Sequence, residues 1–322
     1  MLLASLVLAL PCTLGAAPAA APSGGMLVKS WLESGPRESC VDVLFVGDGY
    51  VEKELAPGAG KFWKDVGRYS QRLFKDEPFL TYKSKFNVRA AFLQSTDRGC
   101  AESPEDASVH TALGSHFDSK TGRLLVFRDS QRLKQVVEEA GGADLVFVMV
   151  NTERYGGAGT LLSEIRVGSR ALPAPTFSAQ DTASFLIAVH ELGHSFADLA
   201  DEYVDEPLVK RYPLPEKGDI ARPNATLARC VDASSWDSLA KSVKWSHFLA
   251  LPDARKHKWL EEGAYYREKG VFRPWKTCRM LDHEDDFCPV CCEEVAKAIV
   301  TTCGEDWDDA LWHKTHPLGK WR

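Results

Sequence analysis

The segment from Asp181 to Tyr203 constrains this chain more than any other stretch, because one helix must serve two purposes within it. It contains His190-Glu191-Leu192-Gly193-His194. Histidines four residues apart on a helix lie one turn above the other on the same face. Taking His190 as zero and about 100° per residue, His194 falls at about 40°, while Phe185, Val189, Leu192, Phe196 and Leu199 fall between about 180° and 260°. The apolar stripe therefore packs on a core, and the histidines look the other way, into a cleft. Two imidazoles with a carboxylate beside them form the H-E-x-x-H arrangement: neutral rings hold Zn2+, and Glu191 is placed to take a proton from water.

Two histidines are not a complete site, since a catalytic zinc takes three protein ligands. Asp198, Asp201 and Glu202 are the candidates. Asp201 projects at about 20°, between the histidines, but a straight helix would carry it roughly 10 Å past His194. The helix must therefore end near Asp198–Ala200 and the chain must fold back. Metzincins make such a turn at a glycine and place the third ligand ten residues after the first histidine. Here that position is Ala200, and no glycine lies between His194 and Tyr203.

The flanking sequence reads as a mixed α/β fold. Cys40–Val46, Phe86–Leu93 and Ala143–Val150 are strand-like apolar runs. An amphipathic helix over 59–75 and another from Ser130, as its cap, to Ala140 lie between them. This order predicts a twisted, mostly parallel sheet with crossover helices. The 143–150 strand is expected to edge the cleft and bind an extended chain by strand addition, with Gly156-Gly157 permitting close approach. Gly47-Asp48-Gly49 lacks the third glycine of a dinucleotide loop, because position 52 is Glu52. His110 and His116 have no partner motif and read as surface or core histidines.

Leu2–Leu10, apolar except for Ser5, followed by small residues from Gly15 to Ala21, reads as a signal peptide over residues 1–21. A retained membrane anchor is the alternative. The expected destination is secreted or periplasmic, with no stable membrane insertion after signal removal. A lead-in segment is expected over 22–38, the N-terminal part of the catalytic domain over 39–203 and a cysteine-rich, irregular subdomain over 204–322. Of nine cysteines, eight follow the leader, and five of these lie beyond residue 270. An even number in an exported chain points to disulfides; Cys288-Pro289-Val290-Cys291-Cys292 is alternatively a second metal site or a redox pair. Asn224-Ala225-Thr226 is a glycosylation sequon. With a net charge of -6, the chain is not a dedicated nucleic-acid binder.

His190-Glu-Leu-Gly-His-Ser-Phe-Ala-Asp-Leu-Ala-Asp-Glu-Tyr203 resembles the signature of the IgA-peptidase (M64) family of zinc peptidases, which carry H-E-x-G-H and then a D-E-Y run at this spacing. Phe45-Val-Gly-Asp-Gly-Tyr50, Phe86-Asn-Val88 and Tyr155-Gly-Gly157 are similar to that family in order and spacing, so the likeness spans roughly residues 40–300. The resemblance implies a zincin-like catalytic domain with one catalytic Zn2+, ligands His190, His194 and Asp201, and Glu191 as general base. It also implies that Met280 lies in a methionine turn and that the substrate is a polypeptide. Two other functions compete with a zinc endopeptidase. One is a non-catalytic, disulfide-stapled binding module whose structural zinc has a fourth protein ligand such as His283. The other is a zinc hydrolase of non-peptide esters or amides.

Overall fold

Strand runs with no polar face, such as Val41–Asp48 and Leu145–Val150, belong in the middle of a sheet covered on both sides. The computed structural model, which describes residues 26–55 and 60–321, places them there. The apolar run of Leu2–Leu10 and the expected cleavage region lie outside the described residues. The chain divides into two units between Ser195 and Phe196.

In the N-terminal unit, six strands build the main sheet: β1 (Leu27–Leu32), β2 (Val41–Asp48), β3 (Phe86–Phe92), β4 (Leu145–Val150), β5 (Gly157–Ala158) and β6 (Thr176–Ser178). Their order across the sheet is β1-β3-β2-β4-β6-β5. The β3-β2, β2-β4 and β4-β6 pairs are parallel, and both outer pairs are antiparallel. The fold is thus mixed α/β with a mostly parallel sheet. Two expectations change. The lead-in segment contributes an edge strand, β1, whose mostly exposed side chains show no clear alternation and which is held by pairing with β3. The 143–150 strand is interior, flanked by β2 and β6, so it edges nothing; that place falls to β5.

Alternating side chains along these strands feed two cores. Leu44, Val46, Val146 and Val148 face Leu133, Val136 and Val137 of α2 (Ser130–Glu139). On the other face Phe45 stacks on Phe147 at 5.1 Å between ring centroids, and Tyr69 of α1 (Lys61–Leu73) meets Phe177 at 4.7 Å. Phe185, at the start of α3 (Ser184–Ala197), closes that cluster against Phe147 and Phe177. α2 is capped by Asp129, which accepts from the Arg132 N–H, and not by Ser130 as its sequence suggests. Beyond β2, the glycine pair serves a turn. Gly49 has φ +72°, and a Cβ there would lie 1.9 Å from the Gly99 carbonyl oxygen. Buried Asp48 accepts from the Leu113 and Ser115 N–H groups and the Thr111 hydroxyl, tying the 111–115 segment to the end of the sheet.

The C-terminal unit is more regular than its sequence suggests. Thr226–Leu227, Arg267–Arg273 and Glu261–Ala264 form a three-stranded antiparallel sheet. Helix α4 (Pro289–Thr302) starts at the cysteine cluster, with Pro at its first position and the Cys288 side chain as its cap. Trp245 and Trp259 are buried together, the Trp245 indole N–H donating to the Trp259 carbonyl at 3.0 Å. No disulfide joins any of the eight described cysteines. Where a staple was expected, three thiols instead converge on one carboxyl group, as described below. Among the described residues no helix is long and apolar enough to cross a membrane.

Candidate active site

α3 begins where Asp181 Oδ1 accepts the N–H groups of Ala183 (2.9 Å) and Ser184 (3.2 Å), satisfying donors that the helix leaves open. Its apolar residues, Phe185, Val189, Leu192 and Phe196, are buried. His190 and Glu191 are buried as well, and His194 is the more open of the pair. The two rings stand edge to face, 4.9 Å between centroids at 84°.

The helix ends at Ala197, and the next residue supplies the turn. Asp198 takes φ +54°, the left-handed conformation usually left to glycine. Aspartate tolerates this conformation better than most residues, which is why no glycine marks the site. The exposed Asp198 carboxylate pairs with Arg222 at 3.0 Å, so it is engaged elsewhere.

The following residues run extended between two neighbours. The carbonyls of Asp201 and Tyr203 accept from Tyr265 N (2.9 Å) and Tyr266 N (3.0 Å), and the Glu202 N–H donates to the Met280 carbonyl (2.8 Å). Asn224 completes the support: its amide bonds both the N–H and the carbonyl of Ala200 and reaches Glu202 Oε1, each at 2.7–2.9 Å. In such a segment consecutive side chains point to opposite sides. Asp201 joins His190 and His194, and one ligand atom from each of the three lies within 4.8 Å of the others. Glu202 joins Cys278, Cys288 and Cys291 instead. His283 is in neither group; its Nδ1 lies 3.8 Å from Asp282 Oδ1. The Asn224 sequon is structural here, because the Asn224 side chain is fully buried and used.

Sequence reasoning missed Tyr266. Its hydroxyl donates to Asp201 Oδ2, and burial, then the Asp201 charge, raise its pKa far above the ordinary tyrosine value. The contact comes from a two-residue hairpin turn between Ala264 and Arg267, with Tyr265 at φ +51° and Tyr266 at φ +68°. Such turns normally hold Asn or Gly, and non-glycine residues here cost roughly 1–2 kcal/mol each. The strain is kept where it aims a phenol at a carboxylate, as strained residues at functional sites often are. No turn signal in Tyr265-Tyr266 announces this. Met280 is fully buried, and its carbonyl holds the residue beside Asp201.

Glu191 is bounded by Gly159. A Cβ at that position would lie 2.2 Å from Glu191 Oε2 and 2.8 Å from Cδ, so the chain after β5 passes over the carboxylate in its present position only because residue 159 is glycine.

A family model for the IgA peptidases, M64, matches residues 30–252, more than two thirds of the chain. This chain belongs to that family. It is therefore a metallopeptidase, and polypeptides are its substrate class. None of the curated proteins searched matches it. The matched span of this M64 peptidase includes α3, Asp201 and Glu202, and it ends before Tyr266, Met280 and the five cysteines beyond residue 270.

Two imidazoles and one carboxylate are the donor set of a zinc that keeps a coordination position for substrate or water. The donors around Asp201 therefore fit a metal of the kind that the family requires, and His190, His194 and Asp201 are residues that could hold it.

Proposed function

We propose that this M64 peptidase is an exported zinc endopeptidase in which His190, His194 and Asp201 hold the metal and Glu191 is the general base. The observation that carries the reading is the meeting of those three side chains within 4.8 Å, on and just after the helix that bears Glu191. Zinc, when bound, supplies Lewis acidity toward the scissile carbonyl and makes water a stronger acid. Glu191, buried next to His190, takes the proton of the attacking water and returns it to the leaving amine. Tyr266 fixes the orientation of the Asp201 carboxylate through its hydroxyl, a supporting role that metal ligands commonly need.

An internal bond is the favoured target because the segment that passes over Glu191 is extended chain. β5 ends the order of the main sheet and is bridged to Leu124 at Gly157, and the bare backbone of Gly159 just beyond it lies against Glu191, so a polypeptide laid beside Gly159 passes the carboxylate and continues both ways. Export follows from the Leu2–Leu10 apolar run.

Digestion of a peptide library with and without a chelator, read by mass spectrometry, tests the reaction. We expect chelator-sensitive internal cuts, and loss of about 10²–10⁴-fold in kcat for Glu191→Gln with zinc content retained. Full activity in Glu191→Gln, or release of terminal residues alone, would remove the assignment.

A further inference from the structure

Glu202 was a candidate for the metal held by the histidines, and the structure puts it elsewhere. Its carboxyl, the Sγ atoms of Cys278 and Cys288 and that of Cys291 offer four ligand atoms within 4.8 Å of one another, all four side chains fully enclosed. Glu202 Oε1 accepts from Asn224 (2.9 Å) and from the Cys291 thiol (3.3 Å), while Oε2 is buried with no hydrogen-bond partner. The sulfurs are already bonded as metal thiolates are. The Cys288 N–H points to Cys278 Sγ at 3.3 Å, and the Cys291 N–H to Cys288 Sγ at 3.5 Å. Cys288 and Cys291 also sit at the N-terminus of the 14-residue helix α4, where the helix dipole favours negative sulfur.

We propose that Glu202, Cys278, Cys288 and Cys291 form a second, closed site that binds one structural Zn2+ within the C-terminal unit. Four donors with sulfur in the majority suit tetrahedral zinc, and Cys288-Pro-Val-Cys291 has the short two-cysteine spacing of structural zinc sites. Around zinc, with Zn–S near 2.3 Å, the donors would stand roughly 3.8 Å apart, a modest contraction of the present cluster. Three thiolates and a carboxylate carry the formal charge of a four-cysteine site. The two N–H···S bonds and the helix end offset it, as does the nearby positive charge of Arg273. Each donor that is protonated in the ion-free chain releases its proton to solvent on binding. A disulfide would use two sulfurs and leave the third thiol beside a buried carboxyl with an unpartnered oxygen. The ion accounts for all four groups at once. Cys278, Cys288 and Cys291 lie beyond the span matched by the family model, so the site is not read from the family.

The test uses the full chain, purified without chelator. Metal analysis is expected to give about two zinc ions per chain, falling to about one in His194→Ala and, independently, to about one in Cys288→Ser/Cys291→Ser. Replacement by Co2+ is expected to give near-ultraviolet thiolate-to-cobalt charge transfer that survives His194→Ala. If the double cysteine variant does not fold, the wild-type and His194→Ala cobalt spectra decide the matter alone. Alkylation of the unfolded, unreduced protein, read by mass spectrometry, is expected to label Cys278, Cys288 and Cys291. A disulfide among these three, or cobalt spectra with no thiolate band, overturns the proposal. A wild-type zinc content of about one per chain that His194→Ala leaves unchanged would count against the active site and leave this site standing.

Discussion

Gly159→Ala is a small change that reaches the proposed general base without touching a metal donor. The added Cβ would stand 2.2 Å from Glu191 Oε2, and ordinary contact begins at 3.4 Å. The carboxylate must therefore retreat by about 1.2 Å, since the opposing atom is the end of a side chain and not backbone. Glu191 is buried, so it has few rotamers to retreat into. A displacement of about 1 Å at a reacting group costs on the order of 10²-fold in rate, or ~2.7 kcal/mol in the barrier. We expect kcat on a chelator-sensitive peptide to fall about that much, with zinc content held and Tm lowered only slightly. Gly319→Ala, where a Cβ meets nothing within 4 Å, is the control and should be silent. Unchanged kcat in Gly159→Ala, with a crystal structure or NMR showing Glu191 displaced, would refute the assignment of the proton transfer to that carboxylate.

The other predictions concern what holds the site and the unit around it. Tyr266→Phe removes the hydroxyl from Asp201 Oδ2, and zinc affinity of the His190–His194 ion should weaken about 10–100-fold by competition with a chelator; unchanged affinity would reduce Tyr266 to packing. Asn224→Ala strips partners from the Ala200 N–H and carbonyl and from Glu202, and should destabilise the chain by roughly 3 kcal/mol in urea unfolding. A loss below about 1 kcal/mol would show that water takes over those bonds. Acid sensitivity should trace in part to buried Glu293. Burial raises its pKa, but hydrogen bonds and charge from His247 and Lys297 more than offset that and hold it below 4.5. A depressed carboxylate pKa stabilises the fold above the unfolded value and loses that contribution as pH falls from about 4.5 through the folded value. The Tm difference between wild type and Glu293→Gln should be largest near neutrality and shrink in acid, and a difference independent of pH would contradict the pairing.

Patterns that depend on nearby residues were legible before any coordinates. The central strands and α1–α3 announce themselves by composition and period, which are local properties, whereas the helical projection of Asp201 does not carry over, because α3 ends at Ala197. The need for a turn after the motif could also be worked out. Its means could not, since Asp198 occupies a left-handed position that only the surrounding packing enforces. β1 stayed hidden for a similar reason: an edge strand with mostly exposed side chains has no apolar signature, and its pairing with β3 spans about sixty residues of sequence. Tyr266 and Asn224 are the costlier omissions. Both act on the 200–203 segment from far along the chain, one from a hairpin with unusual turn residues and one from what reads as a glycosylation sequon.

The cysteines show where composition alone misleads. An even number in a chain whose first residues read as an export signal argues for pairs, yet pairing is a statement about positions that a count does not contain. What sorts the thiols is the alternation at Asp201-Glu202. With its Asp201 carbonyl bonded to Tyr265 on one side and its Glu202 N–H to Met280 on the other, this dipeptide sends one carboxylate to the histidines and the next to Cys278, Cys288 and Cys291. Neither side chain can exchange places without a one-residue slip, which would break the backbone bonds to Tyr265, Tyr266 and Met280 together. The same short segment therefore sets the third donor of the proposed catalytic ion and the fourth donor of the proposed structural one. An ion fixed by Glu202 would hold that register, and so hold Asp201 in its place.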